Sequence, residues 1–225
     1  MNSEDFMSIA ENITKFKNEI PEEVTLVAIS KTKPENDILE AYDAGQRVFG
    51  ENKIQEMTEK WEKLPKDINW HMVGHVQRNK VKYMAEYVDL IHAVDSLKLL
   101  KEIEKQAKKH DRTISCLLQI KIAEEDTKYG INVDEARDIL ESKAYSKMTH
   151  VKIVGLMGMA TFTEKDDKVR KEFNYLKTTF EDLKSEYNSF SVLSMGMSGD
   201  YKIAIDCGST MVRIGSSIFG ERNYN

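Results

Sequence analysis

Two stretches of this 225-residue chain hold residues that could build a site. Near the N-terminus, the apolar strand pattern Thr25-Leu-Val-Ala-Ile-Ser30 stops at Lys31, followed by Thr32, Lys33 and Pro34. Near the other end, Met211-Val-Arg-Ile-Gly215 runs into Ser216 and Ser217. The first stretch delivers a lone amine at a strand exit. The second delivers a strand that opens into a Gly/Ser turn, a backbone able to wrap a phosphate. A fold that joins the two ends puts an amine and a phosphate cradle in one mouth. That pairing is what pyridoxal phosphate (PLP) needs in order to be held as a Schiff base.

The elements that must position these residues are legible as alternation. Short apolar runs lie at Thr25–Ser30, Val48–Glu51, Trp70–Val73, Leu90–Val94, Cys116–Ile122, Ile153–Met159, Val192–Gly196 and Met211–Gly215. Most are rich in Val, Ile, Leu or Met, as strands buried on both faces should be. Between them the pattern predicts helices over Glu35–Ala44, Lys53–Lys63, Gln77–Glu86, Leu97–His110, Asn132 or Asp134 to Ala144, Asp166–Tyr187 and Asp200–Asp206. The Asp166–Tyr187 segment carries Val169, Phe173, Leu176, Phe180 and Leu183 on one stripe. Pro34 can start the first of these helices, and Gly45 ends it.

Eight βα alternations in a chain of this length predict a single α/β domain over residues 1–225, a (β/α)8 TIM-type barrel with an extra N-terminal helix over Asp5–Asn18. No helix is expected after strand eight, so the N-terminal helix should cover that flank. A doubly wound sheet is the competing architecture. It usually has fewer strands, and no Gly-x-Gly-x-x-Gly follows strand one.

Composition narrows the function classes. Net charge is −5 with both signs interspersed and no basic stripe, which argues against a nucleic-acid partner. No run reaches transmembrane length and the N-terminus lacks a signal-peptide core, so no membrane partner is expected and a reducing cytoplasm is the default compartment. Cys116 and Cys207 lie far apart and read as buried apolar residues.

In a (β/α)8 barrel the active face lies at the C-terminal ends of the strands, with phosphate sites often after strands seven and eight. The two loops Met195-Gly-Met-Ser-Gly-Asp200 and Gly215-Ser216-Ser217 both suit a phosphate. Ser198 and Ser216 offer hydroxyls, Gly196, Gly199 and Gly215 allow close approach, and the helix near Asp200 points its first amides at the same space. Barrel closure then sets Lys31 beside the phosphate. The ordinary reading of any one lysine is a solvated charge; the end of an apolar strand facing a cradle reverses it. Lys33, two residues on, is a weaker imine partner.

Arg213 within strand eight needs a partner if buried. One reading pairs it with Glu51 or Asp206. The other has it donate to the pyridine nitrogen of the cofactor, which must then be unprotonated and a poor electron sink. Asn52 closes strand two and can reach the cofactor ring or Lys31, or cap a helix; Glu51 can orient neighbours. His71 and His75 lack a third metal ligand of suitable spacing and read as a core and a loop histidine, so no metal is expected. Met157, Met159, Met195 and Met197 read as packing. The loop Glu124–Gly130 is either a lid or a solvated turn.

Taken together, Ala28-Ile-Ser-Lys-Thr-Lys-Pro34, Phe49-Gly-Glu-Asn52, Trp70-His71 with Gln77-Arg-Asn-Lys80, Gly155-Leu-Met-Gly-Met-Ala160, Leu193-Ser-Met-Gly-Met-Ser198 and Gly208-Ser-Thr-Met-Val-Arg-Ile-Gly215 with Ile218-Phe-Gly220 resemble the YggS/PLPBP family of pyridoxal phosphate homeostasis proteins. Val76 stands where that family more often has leucine. The resemblance implies a monomeric alanine-racemase-like barrel with Lys31 as the Schiff-base lysine. It further implies phosphate contacts from Ser198, Gly215 and Ser216, with Arg213 at the pyridine nitrogen, and a role in vitamin B6 balance without firmly established turnover. The leading expectation is a cofactor-binding module that stores, buffers or hands PLP to PLP-dependent apoenzymes. A weak amino-acid racemase is the enzyme alternative. The absence of a second domain and an opposing base weighs against it. A barrel enzyme forming an imine with a phosphorylated sugar is a third reading.

Overall fold

The computed structural model describes residues 7–124 and 129–220. Eight parallel strands close in sequence order into a barrel: β1 Thr25–Ile29, β2 Val48–Glu51, β3 Asn69–Met72, β4 Leu90–Val94, β5 Ile114–Gln119, β6 Val151–Met157, β7 Val192–Met197 and β8 Met211–Ile214. Closure is by β1 against β8, with Thr25 opposite Met211 and Val27 opposite Arg213. The helices are α1 Ile9–Glu19, α2 Glu35–Asp43, α3 Ile54–Lys63, α4 Leu97–Lys109, α5 Val133–Glu141, α6 Asp166–Glu186, α7 Tyr201–Asp206 and α8 Ser216–Phe219. This is the TIM-type barrel that the alternation predicts.

Local signals set the helix starts. Ser96 accepts the Leu99 amide at 3.2 Å, and Asn132 and Glu135 form a reciprocal capping box. The five stripe residues of α6 are all buried. Alternate strand residues face opposite sides. Leu26, Ala28, Phe49, Trp70 and Met72 pack under the helices, whereas Val27, Ile29, Leu90, Leu117, Met157 and Met211 fill the barrel interior.

Three expectations need correction. A helix does follow β8: α8 begins at Ser216, and α1 packs on both α8 and α2, with Asn12 Nδ2 donating to the Ile218 carbonyl at 3.0 Å. Gln77–Glu86 is not a full helix but a 3₁₀ turn over Arg78–Tyr83. Gln77 gives no side-chain cap, Val81 is the turn's buried residue, and Arg78 and Lys82 would repel at i,i+4 spacing in an α-helix. Strands β5 and β6 each begin and end earlier than their apolar runs suggest. Ile122 and Met159 lie past the strand ends and still pack against the core. The first residues of the expected N-terminal helix, and 125–128 of the loop after β5, fall outside the described residues.

Candidate functional site

The turn after β1 is built to carry Lys31. Thr32 sits at φ 63°, a left-handed backbone that costs a β-branched residue ~1–3 kcal/mol. Its amide donates to Glu56 Oε1 at 2.6 Å, and the Lys33 amide donates to the Ser30 carbonyl at 3.1 Å. Behind the turn, buried Lys60 Nζ donates to the Ser30 carbonyl at 2.8 Å, to Glu51 at 2.7 Å and to Glu56 at 2.8 Å. Glu51 also accepts the Ser30 hydroxyl at 2.6 Å. Strained backbone held by a buried ion-paired group is the pattern of a pre-organised site. Burial raises the Glu51 carboxyl to about 6, although the Lys60 charge and its hydrogen bond act the other way.

Lys33 has a different engagement: its ammonium donates to the Phe219 carbonyl at 2.7 Å, at the end of α8. The loops after β7 and β8 meet directly, because Ser198 Oγ accepts the Gly215 amide at 3.3 Å. Asp200 folds the first loop by accepting the Met197 amide at 2.6 Å. A Cβ at Gly215 would lie 3.2 Å from the Ile29 carbonyl, so glycine lets β8 turn away tightly against the end of β1. At Gly74 a Cβ would lie 2.3 Å from the Asn52 carbonyl, which explains the small residue beside Asn52.

Arg213 is buried inside the barrel. Nη1 donates to Ser194 Oγ at 2.5 Å and Nη2 to the Gly158 carbonyl at 3.2 Å, both neutral acceptors. Burial lowers its guanidinium to about 10, with Asp200 opposing. Neither acidic partner suggested by the sequence takes it: Glu51 turns outward to Lys60, and Asp206 lies 3.4 Å from Arg170.

These residues share one cleft of about 930 Å³ at the C-terminal ends of the strands. Lys31, Asn52, Ser198, Arg213, Gly215 and Ser216 all line it, as do Lys33 and Asp200, with Ile29, Val73 and Met159 on the apolar side. The donor set combines an amine, two hydroxyls, an arginine with neutral partners, and a glycine-tight turn. It fits an aldehyde-bearing aromatic phosphate. Asn52 is not the α3 cap; Lys53 holds that position and makes no side-chain cap bond. Tyr129, on the loop after β5, stacks on His75 with ring centroids 5.7 Å apart.

The alanine racemase N-terminal domain model matches residues 5–223. The pyridoxal phosphate homeostasis protein of Aquifex aeolicus is 39% identical over 201 residues, 88% of this chain and 87% of the relative. Its counterpart in Escherichia coli K12 is 35% identical over 231 residues, 96% and 98% of the two chains. The chain belongs to the pyridoxal phosphate homeostasis protein family. A structure of PipY from Synechococcus elongatus PCC7942 with PLP bound, 34% identical, superposes with a TM-score of 0.86 over 94% of this homeostasis-family chain and 100% of PipY.

Sequence reading missed two groups in this family member. Lys60 looks like half of a surface i,i+4 pair with Glu56, yet is buried. His92 and Ser194 lie inside the barrel, fully buried, among apolar strand residues. Their signal is a polar residue on the inward phase of an apolar strand, shared by His92 with Leu90. His71, expected in the core, is there and hydrogen-bonds to His92. Among the described residues no group of three His, Cys, Asp or Glu could hold a metal ion, and no helix is long and apolar enough to cross a membrane.

Proposed function

We propose that this protein binds PLP in the cleft above β1, β7 and β8 and takes part in its homeostasis, with Lys31 joining the cofactor as a Schiff base. The observation that carries the reading is the convergence of Lys31, the Ser198–Gly215–Ser216 loops and Arg213 in one cleft. The names of the relatives and the PLP-bound PipY support it.

When bound, PLP supplies an aldehyde that condenses with amines and a pyridine ring that can withdraw electrons. Lys31 offers the amine. Ser198, Ser216 and the backbone at Gly215 hold the phosphate, and Asn52 borders the ring. Arg213 donates toward the pyridine nitrogen and keeps it unprotonated, because a guanidinium has no lone pair to accept with. The protein is proposed to act as a cytoplasmic monomer that hands PLP to PLP-dependent apoenzymes. Two free, buried cysteines suit a reducing compartment; burial holds both thiols above their ordinary range.

The test is a spectrum of the protein mixed with PLP, followed by borohydride reduction and peptide mapping. A near-visible band and a reduced adduct on the Lys31 peptide are expected. An adduct on another lysine, or no band at all, would overturn the assignment.

A further inference from the structure

Polar groups cross the barrel interior in a line. Arg213 Nη1 donates to Ser194 Oγ at 2.5 Å. Ser194 Oγ lies 3.0 Å from His92 Nδ1, and His92 Nε2 lies 3.0 Å from His71 Nδ1. His71 Nε2 then faces Asp89 Oδ2 at 3.7 Å. Asp89 is exposed and immediately precedes β4, at the opposite end of the barrel from the cleft. His92 and Ser194 are fully buried, and His71 and Arg213 nearly so.

Hydrogen-bond chemistry gives this line one sense. Arginine only donates, so Ser194 must accept from it. Burial drives the His92 imidazolium well below its ordinary range, so His92 is neutral and has one N–H. If that N–H sat on Nδ1, Ser194 would accept twice, and its own buried proton would have no acceptor in the line. An orphaned buried hydroxyl bears its full desolvation penalty. Ser194 therefore donates to His92 Nδ1, and His92 donates through Nε2 to His71 Nδ1. A neutral His71 then has its proton on Nε2, facing Asp89. His71 holds the Asp89 carboxyl below the usual carboxylate range, so that end of the line is an anion.

We propose that Ser194, His92 and His71 form an oriented hydrogen-bond relay along the barrel axis that ends facing the Asp89 carboxylate, and that Ser194 and His92 are positioning residues for Arg213. Every proton in the relay points from Arg213 toward Asp89. The arrangement presents a lone pair of Ser194 to the guanidinium and pins one of its edges. With Nη2 tied to Gly158, the guanidinium plane is fixed before any ligand arrives. The relay stands on the protein's own groups; only its consequence for PLP rests on the proposed function.

The experiment uses the protein labelled with ¹⁵N-histidine and ¹⁵N-arginine, without and then with added PLP. Without PLP, His71 and His92 should both show the neutral tautomer protonated at Nε2. A His92 protonated at Nδ1, or an even mixture of tautomers, would overturn the relay whatever PLP does. Asp89→Ala alters an exposed side chain and should still shift the resonances of both histidines and of the Arg213 guanidinium; a change confined to His71 would sink the long-range coupling. Ser194→Ala should change the His92 signals and weaken PLP binding by about tenfold, one charge-assisted hydrogen bond's worth. Ser194→Thr, which keeps the hydroxyl, should restore both. If Ser194→Ala leaves the histidine signals and the affinity unchanged, Ser194 positions nothing. If the tautomers are as stated but PLP fails to bind, the cofactor assignment falls and the relay remains.

Discussion

Val27 of β1 and Arg213 of β8 are register partners across the seam that closes the barrel. Residues 186 positions apart in sequence are thereby neighbours, and the chain leaves both strands at the same end. Four residues after Val27 comes Lys31; two after Arg213 comes Gly215. The amine and the glycine turn therefore meet through strand pairing, not through a flexible loop. Parallel register is the device that turns two remote motifs into one cleft.

Lys31 and Lys33 both line the cleft but should behave differently. Lys31→Ala should abolish the near-visible band while weak, reversible PLP binding persists through the phosphate contacts. Lys33→Ala removes a donor to the Phe219 carbonyl and should keep the band. Its cost should be a modest loss of stability, about 1–2 kcal/mol. Titrating both variants with PLP by absorbance, and unfolding both in urea, separates the roles. A lost band in Lys33→Ala with a retained one in Lys31→Ala would exchange them.

Ser198 ties the loops after β7 and β8 together through the Gly215 amide, and the proposed function has both loops hold the PLP phosphate. Charge-assisted hydrogen bonds contribute roughly 1.5–3 kcal/mol each. Ser198→Ala should therefore weaken PLP binding by about tenfold or more, with little effect on pyridoxal lacking the phosphate. Equal affinities of the wild-type protein for PLP and pyridoxal would remove the cradle from the account.

Legibility in the sequence followed burial pattern. Strands covered on both faces appear as apolar runs, so eight alternations were visible, and with them the barrel and the ends bearing Lys31, Ser198 and Arg213. Strand limits at β5 and β6 were blurred because Ile122 and Met159 go on packing beyond the last ladder bond. His92 and Ser194 were hidden for another reason. Their contact spans 102 positions, and each is a single polar residue in an apolar strand. Lys60 was hidden because burial of a helix lysine depends on what the adjoining strand presents, here Glu51 and the Ser30 carbonyl.

Glu51 gives a pH dependence with a defined sign. Its folded carboxyl titrates at about 6 against an ordinary value of 4.5, because burial outweighs the Lys60 attraction. Between those values the folded state holds the extra proton. The group's contribution is thus fully present below 4.5 and is lost as pH rises through 6, an effect of about 2 kcal/mol. Urea unfolding of the wild type and of Glu51→Gln from about pH 4 to 7 isolates it. The wild type should lose stability relative to the variant as pH rises. A difference that grows in the wild type's favour would mean that Lys60 overcomes the burial.

Turnover is the last expectation. Arg213 is lowered only to about 10, so it remains a cation at neutral pH and, in the proposed site, would donate toward the pyridine nitrogen. A ring nitrogen held unprotonated withdraws electrons poorly, which disfavours proton loss from an amino acid's α carbon. Racemisation also needs proton removal and return on opposite faces, which one amine cannot supply. Of the cleft's other groups, Lys33 is tied to the Phe219 carbonyl and Tyr129 stacks on His75. Chiral analysis of alanine and serine incubated with the PLP-loaded protein should show racemisation well below about 1 per second, the lower edge of ordinary enzyme rates. Arg213→Glu, which offers a carboxyl partner that would favour the protonated ring nitrogen, should raise any residual rate if it folds and binds PLP. Steady turnover above that rate in the wild type, lost in Lys31→Ala, would make this protein a racemase and displace the carrier reading.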